Sequence, residues 1–127
     1  MYVLQAVIAP SGVLNSRVVP LGQDLVLLPL SSMPGENVLA QWSLSGPVAL
    51  VEAEFFGGCG SQQAQVWEHG RRVLGPLVQE EDDPVPPVSP ISLALRRLGV
   101  VKGSHHDEFD AVGLGRHRST SDWITSD

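Results

Sequence analysis

The chain has 127 residues, 43% hydrophobic and 17% charged. That balance fits one folded domain with a core of its own and excludes a long disordered or low-complexity protein. A formal charge of -6, with only 8 Lys and Arg, disfavours nucleic-acid binding, because phosphate neutralisation needs a basic surface.

A single cysteine excludes an internal disulfide. No apolar run reaches the length of about eighteen residues that a spanning helix requires. The opening "MYVLQAVIAP" has neither the basic start nor the small-residue cleavage site of an export leader, so a cytoplasmic protein that does not engage membranes is expected.

In chain order, "YVLQAVIA" (2–9) is short, apolar and rich in β-formers, as an interior strand covered on both faces would be. "PSGVLNSRVVPLGQ" carries turn residues around a short extended piece. "DLVLLPL" (24–30) is a second strand, with Pro29 at its end or on an edge because proline lacks a ladder donor. "MPGENVLAQWSLSG" predicts a helix with Pro34 near the first turn and Glu36 favourably placed against the dipole. Val38, Leu39 and Trp42 are expected on one face, and Gly46 and Pro47 as the stop.

The middle of the chain predicts an antiparallel meander. In "PVALVEAEFF", Val51, Ala53 and Phe55 alternate with Glu52 and Glu54, one face buried and one wet. A second alternating run reaches about Glu68, His69-Gly70 makes a turn, and a third run starts near Arg71. "QEEDDPVPPVSP" follows, an acidic and proline-rich connection (about 79–90) expected to be extended and exposed.

"SPISLALRRLG" reads as a helix in every local signal: Ser89 as N-cap, Pro90 at the first position, Ile91, Leu95 and Leu98 on one stripe. Arg96 and Arg97 sit near the C-terminal dipole, and Gly99 stops it. A short helix is expected from about His106 to Val112, capped by Ser104 and closed by Gly113, and the tail adds a turn that docks Trp123. The fold class is therefore α+β: a single domain with a central antiparallel meander and helices packed against the sheet.

The chemistry-bearing residues admit several readings. "FFGGCGSQQ" places Gly57, Gly58 and Gly60 around Cys59. A phosphate cradle needs a helix directly after the glycines, whereas "AQVWEHG" alternates with period two and no Lys-Ser or Lys-Thr pair closes the loop. "GCGS" touches the papain-like pattern C-G-S-C-W, but the position of that family's nucleophile is Gln62 here. A nucleophilic Cys59 would need a nearby base or cation. The glycines are expected instead in a hairpin connection with Cys59 at a loop tip or bulge.

His105, His106, Asp107, Glu108, Asp110 and His117 offer metal-ligand types at unspecific spacing. Within a helix, His106 and Asp110 would share a face as half a site, or as a surface hydrogen bond. Neither a metal nor another cofactor is expected. Glu52 and Glu54 point to one face of a strand, as a carboxylate pair or as ordinary solvent-facing residues, with Gln63 and Gln65 near them. Three arginine pairs lie in the second half, and "GLGRHRS" concentrates Arg116, His117 and Arg118 in a glycine-freed loop. They could gather as anion donors or fasten the tail.

The segments "VEAEFFGGCGSQQAQVW", "SPISLALRRLGV" and "DEFDAVGLGRHRSTSDW" resemble a family of short bacterial proteins of the high-GC actinobacterial type, to which no activity is attached. The resemblance implies a small cytoplasmic bacterial protein and transfers no catalytic residue. Two functions follow as expectations. One is a non-enzymatic protein that binds another protein, with a toxin-neutralising immunity or antitoxin role as its most concrete version. The other is an anion-binding domain or small enzyme whose site gathers Glu52, Glu54, the glycine loop and one or more of Arg116, His117 and Arg118. A homodimer is compatible with a sheet that has an open edge.

Overall fold

A computed structural model describes residues 1–14, 17–56, 59–84 and 86–124. Its centre is β1 (Tyr2–Pro10), which pairs with β4 (Val48–Phe56) through Tyr2 to Ile8 and with β3 (Leu25–Pro29) through Ala6 to Pro10. With partners on both sides, Ala6, Val7, Ile8 and Ala9 are fully buried, as the unbroken apolar run predicts. The short β2 (Val19–Pro20) pairs with β3. β5 (Cys59–Glu68) and β6 (Arg71–Gln79) complete a six-stranded antiparallel sheet of order β2-β3-β1-β4-β5-β6. With helices packed alongside, this is the α+β fold expected, including the meander β4-β5-β6.

Alternate strand residues feed two cores. Leu4, Ala6, Ile8, Ala49, Val51, Ala53, Ala64 and Val66 face a large cluster completed by Ile91, Ala94 and Leu95 of α2 (Pro90–Arg97), Val112 of α3 (Glu108–Val112) and Trp123 of α4 (Thr120–Ile124). Val7, Ala9, Val48, Leu50 and Trp67 face the other way and meet Leu14 and Leu39 of α1 (Glu36–Trp42). Val38 is 40% exposed. It does not share the buried face expected for it, because adjacent helical residues point about 100° apart and Leu39 takes the sheet side.

The helix α2 forms as its sequence predicts. Ser89 Oγ accepts from the Ser92 amide at 3.2 Å, and Gly99 follows the C-cap at φ +98°. Gln62, on the sheet face beneath it, accepts from the Ile91 amide at 2.9 Å and fixes the helix N-terminus to β5. α3 starts two residues later than expected. Asp107 rather than Ser104 caps it, accepting from the Asp110 amide at 2.8 Å, and Gly113 closes it in the left-handed region.

Only the acidic half of the connection after β6 behaves as a solvated linker. Glu80 to Pro84 are exposed, folded back by a 2.8 Å bond from the Glu80 amide to Asp83, whereas Pro86 and Val88 are half-buried and Pro90 is buried. The prolines lead the chain back onto the sheet instead of away from it.

The tail closes an edge. Because β3 pairs only with the second half of β1, the outer edge at Val3 is taken by residues 118–120. The Val3 amide donates to the Arg118 carbonyl at 2.8 Å, and the Gln5 amide to Thr120 Oγ1 at 3.0 Å. Tyr2 stacks between Phe55 and Phe109, its hydroxyl donating to the Leu114 carbonyl at 2.8 Å; burial holds this phenol above its ordinary range.

Two predictions follow from the packing. In β6, Leu74 and Leu77 pair with Val66 and Ala64, so two residues bulge against one. Gly75 stands there at φ +86°, and an added Cβ would lie 2.6 Å from the Ala64 carbonyl. Gly75→Ala should therefore cost about 1–3 kcal/mol in urea unfolding.

Glu108 is 3% exposed and pairs with the half-exposed Arg96. Burial pushes its carboxyl up, but the Arg96 hydrogen bond, with its own backbone amide and the nearby charges, holds it below the ordinary carboxylate range. A depressed folded value means stability that is full above the unfolded pKa of about 4.3 and is lost as pH falls through the folded value. Arg96→Ala should cost about 1–2 kcal/mol at pH 7, screened by the exposure of Arg96. The gap to the wild type should narrow in urea titrations on acidification below about pH 4.

Candidate functional site: the open half of the sheet

The period of two places Val48, Leu50, Glu52, Glu54 and Phe56 on one face of β4. The first two lie in the second core; from Glu52 onward the face is uncovered. The reason is length. A seven-residue helix such as α1 spans about 10 Å, while a nine-residue strand spans about 30 Å.

The register assembles the uncovered half. Gln5 on β1 and Gln63 on β5 stand on either side of Glu52, and Val78 on β6 stands opposite Gln63. Val3 and Ser61 flank Glu54 in the same way. These rows line a shallow hollow of about 190 Å³, with Glu80 at its rim. Gln63 Nε2 donates to Glu52 Oε2 and holds that carboxylate in place. Among the described residues, none hydrogen-bonds or ion-pairs with the Glu54 carboxylate.

On the covered side, Trp67 Nε1 donates to Gln65 Oε1 at 2.8 Å, and Met33 overhangs between Glu52 and Gln65. Apolar residues mark the borders: Met33 is 43% exposed, Phe56 51% and Val78 53%. The surface thus offers two neighbouring carboxylates, amide groups able to donate or accept, and an apolar margin. Chemically that is a receptor for positive charge.

Arg116, His117 and Arg118 are not brought to this site. Arg116 Nη2 donates to the Pro20 carbonyl at 2.7 Å and its guanidinium lies 5.0 Å over the Trp123 ring, which His117 meets edge-on at 4.7 Å. The side chain of Arg118 is exposed and its carbonyl serves the edge of β1. Trp123 belongs to the core on the opposite face of the sheet from Glu52 and Glu54, so this cluster fastens the tail. Members of the other two arginine pairs are likewise engaged separately, Arg72 with Glu36 at 3.2 Å and Arg97 with Glu68 at 2.6 Å, while Arg96 holds Glu108.

The glycine-rich stretch differs from the loop tip or bulge expected at Cys59. β4 and β5 stay paired to Phe56 opposite Cys59, so Cys59 and Gly60 are strand residues rather than a tip; Gly57 and Gly58 lie outside the described residues. Gly60 stands opposite Phe55, and an added Cβ would lie 2.3 Å from Phe55 Cδ1. Its role is to admit the ring that packs on Tyr2.

The pair expected between His106 and Asp110 is not formed. His106 precedes α3, and His105 Nδ1 lies 3.2 Å from Asp110 Oδ2 in its place. Among the described residues no group of three or more His, Cys, Asp or Glu comes together as a metal site.

The sequence reading missed Gln5, Ser61, Val78, Glu80, Met33 and Phe56. One signal was present for Gln5, the lone polar residue in "YVLQAVIA", which marks where the second face of β1 leaves the core. The others join only through strand register. Comparison with protein families, with curated proteins and with solved structures returns no match, so no relative supplies a role for any of these residues.

If the half-face serves recognition rather than folding, changes on it should be cheap for stability. Glu54→Lys and Phe56→Ala should each shift unfolding by no more than about 0.5 kcal/mol. Trp123→Ala, on the other face, should cost about 3–5 kcal/mol in the same urea assay.

Proposed function

We propose that the chain is a non-enzymatic interaction protein whose open half-face docks a basic protein partner, with neutralisation of a toxin, as an immunity or antitoxin protein does, its most concrete form. The observation that carries this reading is the Gln5–Glu52–Gln63 row beside an unengaged Glu54, left uncovered on a sheet whose other face carries the larger core. None of the residues lining the hollow is Lys, Arg or His, and the formal charge of the chain is -6. Both features favour a cationic surface on the partner and fast, salt-sensitive association.

Size sets a further condition. Four strands at about 4.8 Å spacing and five residues at about 3.4 Å give a patch of roughly 330 Å², well below the roughly 800 Å² that one side of a stable interface buries. The partner must therefore also contact the margin, where Met33, Phe56 and the acidic turn at Glu80 to Asp83 are exposed. The anion-binding alternative draws no support from the hollow, whose charged lining is acidic throughout.

The experiment is to cross-link the chain in its native cells, identify the captured protein and measure binding of the purified pair by calorimetry. Glu52→Lys combined with Glu54→Lys should weaken binding at least a hundredfold. The wild-type association rate should fall steeply between 50 and 300 mM salt, about as expected for opposed charges. Unchanged affinity in the folded double variant would overturn the reading.

A further inference from the structure

The hollow over Glu52 and Glu54 has an apolar neighbour. A groove of about 240 Å³ is lined by Leu77, Pro84, Pro86, Val88 and Leu93, where the proline segment returns to α2. Val78 and Gln79 line both cavities, so the last turn of the β6 strand forms the wall between them. β6 is the outermost strand, and this wall is therefore an edge around which a short extended segment can pass. The two cavities differ in chemistry: the first is bordered by Glu52, Glu54 and Glu80, the second mainly by aliphatic and proline side chains, with Asp83 as its one charged lining residue.

Resting on the docking reading above, we infer that the two cavities together recognise a basic-apolar segment of the partner, an Arg or Lys entering the acidic hollow and an aliphatic side chain a few residues on entering the groove beyond β6. The cation meets Glu54, which is free to turn towards it, and Glu52, which Gln63 already holds in position. A preset acceptor lowers the ordering cost of binding. The stem of the cation covers Val3 and Val78. A chain crossing the edge with three residue steps between the two side chains reaches about 10 Å. Charge selects the sign of the first residue, and the apolar groove selects its follower, so neither alone accounts for the specificity.

The test uses the full chain, isotopically labelled, titrated with blocked peptides and followed by backbone amide shifts. Acetyl-Arg-Gly-Gly-Leu-amide should move the amides of Glu54, Gln63, Val78 and Leu93 together. It should bind at least tenfold more tightly than acetyl-Arg-amide or acetyl-Leu-amide. Glu52→Gln combined with Glu54→Gln should lower its affinity at least tenfold, and Leu93→Ser should remove the extra affinity conferred by the leucine, both variants being checked for an unchanged fold by their amide spectra. Equal binding of acetyl-Glu-Gly-Gly-Leu-amide, or shifts confined to one cavity, would overturn the inference. If the peptides fail while charge reversal at Glu52 and Glu54 still abolishes capture of the partner, this inference falls and the docking reading stands. If charge reversal leaves capture intact, the docking reading falls with it.

Discussion

A sheet has two faces to cover, and the supply of helices decides which parts of it become core. Here α2, α3 and α4 pack the larger core against one face, while on the other, among the described residues, Leu39 of α1 and Leu14 complete a smaller one. Packing apolar area against a face contributes about 25 cal/mol per Å², so the covered parts must be apolar and the uncovered part cannot remain so without inviting aggregation. The side chains obey this division strand by strand: Val7 gives way to Gln5, Leu50 to Glu52, and Trp67 to Gln65 and Gln63. The polar half-face is thus the complement of the helix shortage, and its position follows from where α1 ends.

That division separates the groups that hold the fold from those exposed on the open half-face. The groups that hold the molecule together lie on the closed face or at its seams: Trp123 under Arg116 and His117, Gln62 against the start of α2, and Glu108 tied to Arg96. Those on the open half do little for the fold beyond completing the ladder. A surface of this kind is free to vary without loss of the scaffold.

The cationic groups illustrate how local composition misleads. "GRHR" concentrates donors that would serve an anion site, yet Arg116 spends its guanidinium on the Pro20 carbonyl and the Trp123 ring, and the backbone of Arg118 closes the edge of β1. An edge left open at the central strand would be a template for unwanted pairing, so the final segment is required where it lies. The glycines behave likewise. Gly60 admits Phe55 across a ladder, and Gly75 admits a bulge.

What the sequence by itself determined is whatever depends on neighbours along the chain. The period-two runs of the meander, the His69-Gly70 turn, the Ser89-Pro90 start and Gly99 stop of α2, and the docking of Trp123 were all readable, because pattern, cap and turn chemistry act over a few residues. The alternation also showed that Glu52 and Glu54 share a face and that Gln63 lies near them. Only the tertiary structure decided that this face is half open, that Gln5 and Val78 complete it, and that Arg116 and His117 lie on the far side of the sheet. The choice of Asp107 over Ser104 as a cap, and of His105 over His106 as the partner of Asp110, was decided there too. The physical reason is the same in each case. Strand order, register and the reach of one short helix are set by packing among segments far apart in the chain, and no local pattern encodes them.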